Sequence, residues 1–220
     1  MTLSYVEYEL QHGFINNWLT AGPQSTPVQD LPAKGEGYRS QIFQKYASAK
    51  SGITKMPVER GPLTEGLFKI DKYEGSWNYT RCADDHRVDH STSTPVCHHL
   101  RSWAYAQLTS PAARQVSLTL HTAGPAVVWV NDQEVFRQEQ FSGQPRRYSF
   151  HTGLAEGINQ ILVRFEAVAD PAGLLVMALQ VDDADALGVR IPTLIPSLER
   201  RSELEQVYQT LYLDRDVYAA

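Results

Sequence analysis

The sequence predicts an all-β sandwich, and three observations carry that expectation. Apolar and polar residues alternate along short stretches, most cleanly where Val116, Leu118 and Leu120 interleave with Ser117, Thr119 and His121. Hairpin-type punctuation separates such stretches, as at Asn131-Asp132 and at Gly157-Ile158-Asn159. Finally, about ten of them succeed one another at short spacing, without the alternation of strand and long helix that a parallel α/β sheet requires.

Residues 5–10 and 14–20 read as two strands parted by Gln11, His12 and Gly13, the second stopped by Gly22-Pro23. Residues 24–62 are rich in proline and glycine and lack a sustained period, which predicts a long functional loop or an ordered insertion across one end of the sandwich. Within them, 41–47 fit a short helix with Ile42, Phe43 and Tyr46 on one side. Strands follow at 67–70, 76–81 and 100–108, the last with Trp103 and Tyr105 on one face and Ala104 and Ala106 on the other. Residues 126–130 are apolar on both faces, as a central strand is. Phe136 and residues 148–150, 158–168 and 174–181 supply the remainder.

Beyond 190 the pattern changes. Pro192 and Pro196 break the chain, Ser197 is a capping residue and Glu199 suits a helix N-terminus. Leu204, Val207, Tyr208 and Leu211 then fall at i, i+3, i+4 and i+7, the stripe of an amphipathic helix. The expected organisation is a sandwich over 1–190 and a linker with a C-terminal amphipathic connector helix over 191–220. The helix would pack back onto the sandwich or lead to a further domain, since 214–220 carry no terminating signal.

Hydrophobic residues make up 42% of the 220 and charged residues 20%, a balance that supports a buried core. With a formal net charge of −5 there is no basic face to neutralise phosphates, so nucleic acid is not an expected partner. The absence of any run of about 18 apolar residues excludes a transmembrane helix, and no membrane partner is expected. The N-terminus lacks the charged region and apolar segment of a secretory signal. A cytoplasmic location is expected, or a secreted one if the chain is a fragment without its leader. Cys82 and Cys97 form no disulfide framework and are expected chiefly as free thiols.

Four segments in order carry a family resemblance: Trp18-Leu19-Thr20-Ala21-Gly22-Pro23, Trp103-Ala104-Tyr105-Ala106, Val128-Trp129-Val130-Asn131 and Gly157-Ile158-Asn159-Gln160-Ile161-Leu162-Val163. They are similar to segments of the galactose-binding-like jelly-roll modules that accompany glycoside hydrolases and polysaccharide lyases. The resemblance implies a jelly-roll β-sandwich, and a non-catalytic role in binding glycan or bracing a catalytic domain. The chain departs from the family at Asn131-Asp132, where Asn-Gly is usual, which predicts a longer or differently shaped turn.

Chemistry-bearing residues concentrate in 82–99, which hold both cysteines and four of the seven histidines. Cys82, His86, Cys97 and His98 or His99 are ligand types for zinc, although their spacing matches no zinc-finger pattern. Asp84, Asp85 and Asp89 offer oxygens for a structural Ca²⁺. The same residues also suit a polar loop in which Asp89 and Ser91 cap turns through side-chain to backbone bonds. For a sugar, an aromatic face with planar polar groups beside it is needed. Trp77, Tyr79, Arg81, His86 and Asp89 supply that combination, unless Trp77 joins Trp103 in the core. No pair of carboxylates stands in a recognisable catalytic setting; Glu166, on an apolar strand, reads as an outward-facing solvated residue.

The expected function is that of an N-terminal accessory domain in a larger glycan-processing enzyme, with carbohydrate or a C-terminal catalytic domain as partner. A free-standing carbohydrate-binding module is the alternative, followed by a small zinc-dependent enzyme built on 82–99.

Overall fold

Two antiparallel sheets enclose one hydrophobic core, to which both contribute the apolar members of their alternating strands. The computed structural model describes residues 5–47, 67–70 and 73–192. In chain order the elements are β1 (Tyr5–Glu9), β2 (Asn17–Pro27), α1 (Tyr38–Ala47), β3 (Leu67–Ile70), β4 (Tyr73–Ser76), β5 (Asn78–Arg81), β6 (Val88–Asp89), β7 (Thr92–Ser93), β8 (His98–Ser110), β9 (Arg114–Thr122), β10 (Ala126–Val130), β11 (Gln133–Gln138), β12 (Arg146–Leu154), β13 (Gly157–Ala169), β14 (Ala172–Gly173), β15 (Val176–Val181) and β16 (Gly188–Pro192). The expected connector helix at 191–220 falls, beyond Pro192, outside the described residues, as do 48–66. Among the described residues no helix is long and apolar enough to cross a membrane.

The large sheet runs β1-β16-β8-β13-β10-β11, with β2 also on β8 and β5 on β2; the small sheet runs β12-β9-β15-β6. The long pair β8 and β13 is the spine, in register from Gly157↔Ser110 to Ala169↔His98. Its inner parity is apolar: Leu100, Ala104, Ala106 and Leu108 on β8, Ile161, Val163 and Phe165 on β13, all buried. His90, next to the small sheet's β6, identifies that parity as the inner one. Its Nδ1 bonds Ser102 Oγ at 2.9 Å and its ring lies 5.8 Å from Phe165. Opposite stand Val116, Leu118 and Leu120 of β9 with Leu179 and Val181 of β15. The polar parity Ser117, Thr119 and His121 faces away, as its alternation predicts, but it is not fully wet: Thr119 is buried and the other two are half-buried. Each large apolar side chain so enclosed contributes about 1.5–3 kcal/mol.

Three local expectations need correction. First, β2 does not stop at Gly22-Pro23. It passes through a bulge there and resumes pairing with β8 as far as Pro27↔His98. Gly22 has φ +109°, and a Cβ on it would stand 2.8 Å from Ser102 Oγ and 2.9 Å from the Arg101 carbonyl oxygen, so only glycine lets the two backbones approach. Second, Asn131-Asp132 is not lengthened. It is a two-residue hairpin turn with both φ positive, 49° and 67°, the backbone of a type I′ turn. Asn131 relieves the strain by bonding: its Oδ1 accepts from Gln160 N at 2.8 Å and its Nδ2 donates to Asn159 Oδ1 at 2.8 Å. Third, 82–99 is more than a loop, because β6 extends the small sheet beside β15 and β7 pairs with β14. Asp89 does close a turn there, accepting from Ser91 N at 2.8 Å, whereas Ser91 Oγ reaches across the chain instead and accepts from Leu175 N at 3.0 Å.

Asn159 joins the two turns that mark the sequence. It is fully buried, its Oδ1 also accepts from Ala155 N at 2.8 Å, and its Nδ2 donates to Ala155 O at 2.9 Å. Asn159→Ala strips both turns of a shared partner and leaves buried polar groups unpaired. We expect a loss of about 2–3 kcal/mol, read as a fall in Tm of roughly 4–12 °C by calorimetry; an unchanged Tm would show that the turns hold without it.

Candidate functional site

The outer parity of the large sheet is not wet. It carries Trp103 and Tyr105, both fully buried, and next to them His99 and Arg101 on β8 with Arg164 and Glu166 on β13. Glu166, expected to be solvated, is 2% exposed. His99 Nε2 donates to its Oε2 at 2.7 Å, Arg101 Nε lies 3.3 Å from the same oxygen, and Arg164 Nε lies 3.0 Å from Oε1. Burial pushes the carboxyl up, but the His99 hydrogen bond and the two guanidinium charges outweigh it and hold Glu166 below the usual carboxylate range. Arg164 is pushed down by burial with Arg101 near, and its guanidinium lies 5.5 Å from the centre of the Trp129 ring.

Helix α1 lies over this cluster, and the expected helical side is seen: Ile42 and Phe43 are buried and Tyr46 is partly so. The Tyr46 ring stacks on His99 at 5.8 Å, its carbonyl accepts from Arg101 Nη2 at 3.4 Å, and Phe43 meets Phe141 edge-on at 5.9 Å. The ionic cluster thus seats the helix, and the helix carries Arg39 to the rim of a cleft.

That cleft, of about 540 Å³, opens at the end of the sandwich where β7 pairs with β14. One wall is Ser91, Thr92 and Ser93; another is Ala172, Gly173 and Leu174; a third is Phe141, Ser142 and Gly143. Ala123, Ala167 and Val168 line it from the strand ends and Arg39 from α1. The walls are pinned to one another. Thr94 N donates to Pro171 O at 2.7 Å, Ser142 N to Ala123 O at 2.8 Å, and Lys34 pairs with Asp170 at 2.8 Å. The Lys34 hydrogen bond holds Asp170 below its ordinary range, and Tyr38 Oη donates to the same carboxylate at 3.3 Å. Gly124 sits where a Cβ would collide with the Glu166 carbonyl and would lie 3.6 Å from the Phe141 ring, so this corner also requires glycine.

The residues singled out from the sequence are dispersed. Trp77 is buried, 6.3 Å edge-on from Tyr105, which makes it a core residue like Trp103. Tyr79 is 51% exposed, stacks on Tyr8 at 6.2 Å and donates to Asn17 Oδ1 at 2.7 Å; Arg81 is exposed on the same strand. His86 stacks on Phe14 at 4.4 Å and donates to Asn16 Oδ1 at 3.0 Å, while Asp89 is engaged with Ser91. Of the zinc set, Cys82 belongs to the sandwich core and Cys97 to a separate cluster with Ile42 and Val168. Both are free thiols; burial pushes Cys82 up to about 12 and raises Cys97 as well, which disfavours the thiolate that metal binding needs. His98 donates to Val96 O at 2.8 Å. Asp85 is engaged with Arg87 N at 3.2 Å. Among the described residues no group of three or more His, Cys, Asp or Glu gathers as a metal site.

No family model matches the sequence, and no curated protein matches it. Among solved structures the chain is similar to a family 35 carbohydrate binding module from an environmental isolate, at 15% identity and TM-score 0.32, over 50% of this chain and 79% of that one. It is similar to the beta-glucosidase from Kluyveromyces marxianus at 13% identity and TM-score 0.36, over 60% of this chain and 20% of the enzyme. An exo-beta-1,3-galactanase from Phanerochaete chrysosporium matches at 11% identity and TM-score 0.28, over 55% and 42%. Likenesses this weak decide neither fold nor ligand.

Removing Glu166 leaves two buried guanidinium groups without their counter-charge. For Glu166→Gln we expect a loss of about 3–5 kcal/mol in urea unfolding at pH 7. Because the folded carboxyl titrates below its unfolded value, its contribution is complete above about pH 4.3 and is lost as the pH falls through the folded value. The gap between wild type and variant therefore narrows on acidification. A gap independent of pH down to acid unfolding would show that packing, not charge, was lost.

Proposed function

We propose that this sandwich is a carbohydrate-binding domain of the galactose-binding-like type, accessory to a larger glycan-processing enzyme, and that the cleft between β7, β14, α1 and the 141–143 loop is its sugar site. The lining of the cleft carries the reading. Phe141, Val168 and Leu174 offer apolar surface for the C–H face of a pyranose, and Thr92, Ser93 and Ser142 bring hydroxyls beside it. Alanine and glycine at 123, 143, 167, 172 and 173 keep the space open. The volume lies within the range of small-molecule sites, about 300–1,000 Å³.

Binding is favoured over hydrolysis by what the described lining contains. None of those residues is acidic, whereas glycoside hydrolysis generally uses two carboxylates some 5–10 Å apart. Glu166, the buried carboxylate nearest in sequence to the Ala167 and Val168 wall, is committed to three partners and ionised, the opposite of a general acid.

A second reading is favoured by the exposed ring of Tyr79 with Arg81 on the same strand, a platform for a sugar on the large sheet. A glycan-array screen followed by calorimetric titration separates the two. Ala172→Trp fills the cleft from an exposed position, and we expect it to reduce affinity for the selected glycan at least tenfold while Tyr79→Ala leaves it within about twofold. The reverse pattern moves the site to Tyr79, and no glycan binding by the wild-type chain overturns the reading.

A further inference from the structure

We infer that the sugar taken by the cleft is acidic, a uronate, and that Arg39 recognises its carboxylate; the inference rests on the cleft being the carbohydrate site. Arg39 is the one charged side chain among the described residues that line it. An arginine at a protein surface is ordinarily solvated or paired, and this one is only half-buried and unpaired. Its Nε is buried without a hydrogen-bond partner, and no carboxylate among the described residues forms an ion pair with it. Its contact is the ring of the neighbouring Tyr38, 5.5 Å from the guanidinium carbon.

The carboxylate that might have neutralised it is already engaged. Asp170 is held by Lys34 at 2.8 Å and by the Tyr38 hydroxyl at 3.3 Å, and no acidic residue lies in the first turn of α1. The Arg39 charge helps hold the Asp170 carboxyl low but forms no ion pair with it, so at the cavity wall the cation lacks a dedicated counter-charge among the described residues, in a chain whose net charge is −5. The overall field does not draw anions to this protein, so selectivity for one has to be local. A guanidinium fork matches the planar carboxylate of a uronate, and the pair strengthens as the cleft excludes water. The hydroxyls of Thr92 and Ser93 remain for the neutral positions of the ring, and Ser142 Oγ, which donates to Gln144 O at 2.7 Å, keeps its lone pairs to accept.

The test is calorimetric titration of the chain with matched acidic and neutral oligosaccharides: oligomers of galacturonate against galactose, glucuronate against glucose and mannuronate against mannose. We expect at least one acidic member to bind about tenfold or more tighter than its neutral counterpart. Methyl esterification of the carboxylate and added salt should both shrink the preference. Arg39→Met should remove it and Arg39→Lys retain part of it, with thermal melts confirming that both variants fold. If Arg39→Met does not fold, the ester and salt comparisons on the wild-type chain decide alone. Neutral sugars binding as tightly as acidic ones, or a preference surviving in Arg39→Met, overturns this inference and leaves the carbohydrate site standing. Absence of binding to any of these sugars and to the glycan array overturns both.

Discussion

One carboxylate organises the outer face of the large sheet. Glu166 stands between Arg101 and Arg164 and under His99, in a layer that water does not reach. Two fixed positive charges and one negative would not persist there on Coulomb attraction alone, since the desolvation of each ion costs several kcal/mol. The layer persists because further contacts share the load: Trp129 faces the Arg164 guanidinium, and the Tyr46 carbonyl and ring take Arg101 and His99. Those last two contacts belong to α1. The helix is therefore bound to the sheet by the group that would otherwise make the sheet unstable, and through α1 the same carboxylate sets where Arg39 meets the cleft.

The sandwich itself was legible because its core obeys a period of two. Val116, Leu118 and Leu120 turned inward and their polar neighbours outward, and the strand at 126–130, apolar on both faces, proved central between β11 and β13. The two asparagine-bearing turns were visible as turns. Their mutual bonding was not, because local sequence records a residue's backbone preference and not which distant side chain it will meet. Asn131-Asp132 departed from the expected lengthening because the αL strain of a non-glycine residue, of order 1 kcal/mol, is offset by the side-chain bonds of Asn131. Gly22-Pro23 similarly reads as a strand end by itself, and becomes a bulge only because β8 continues beside it.

The candidate site was less legible, for two reasons that act at different scales. Alternation places Glu166 on the parity opposite Phe165, and outward normally means solvated. Yet that parity also carries Trp103 and Tyr105 on the paired β8 and Leu162 on β13 itself, all buried. A face that carries a tryptophan and a tyrosine on a central strand has to be covered, and a carboxylate on it needs cations. The pattern was present in the sequence but only as a property of two strands taken in register. The cleft leaves still less of a trace. Its lining comes from six separate segments and is mostly alanine, glycine and serine, residues whose small side chains leave space. Attention to histidine, cysteine and tryptophan pointed instead to 82–99 and Trp77, where buried packing and turn capping account for most of what those residues do.

Small side chains at a rim and charge beneath it divide the work between shape and position. The cleft walls are tied through backbone hydrogen bonds and the Lys34 and Asp170 pair, so opening the cavity does not require the sandwich to deform. Its base is rigid because Ala167 and Val168 continue directly from Glu166 on β13, the strand with the longest pairing in the molecule. A ligand entering there would meet a preformed surface and lose little affinity to ordering the protein. Fixing Glu166 among three cationic or hydrogen-bonding partners therefore secures both the strand that continues into the Ala167 and Val168 wall and, through Tyr46 of α1, the helix that brings Arg39 to the opposite side.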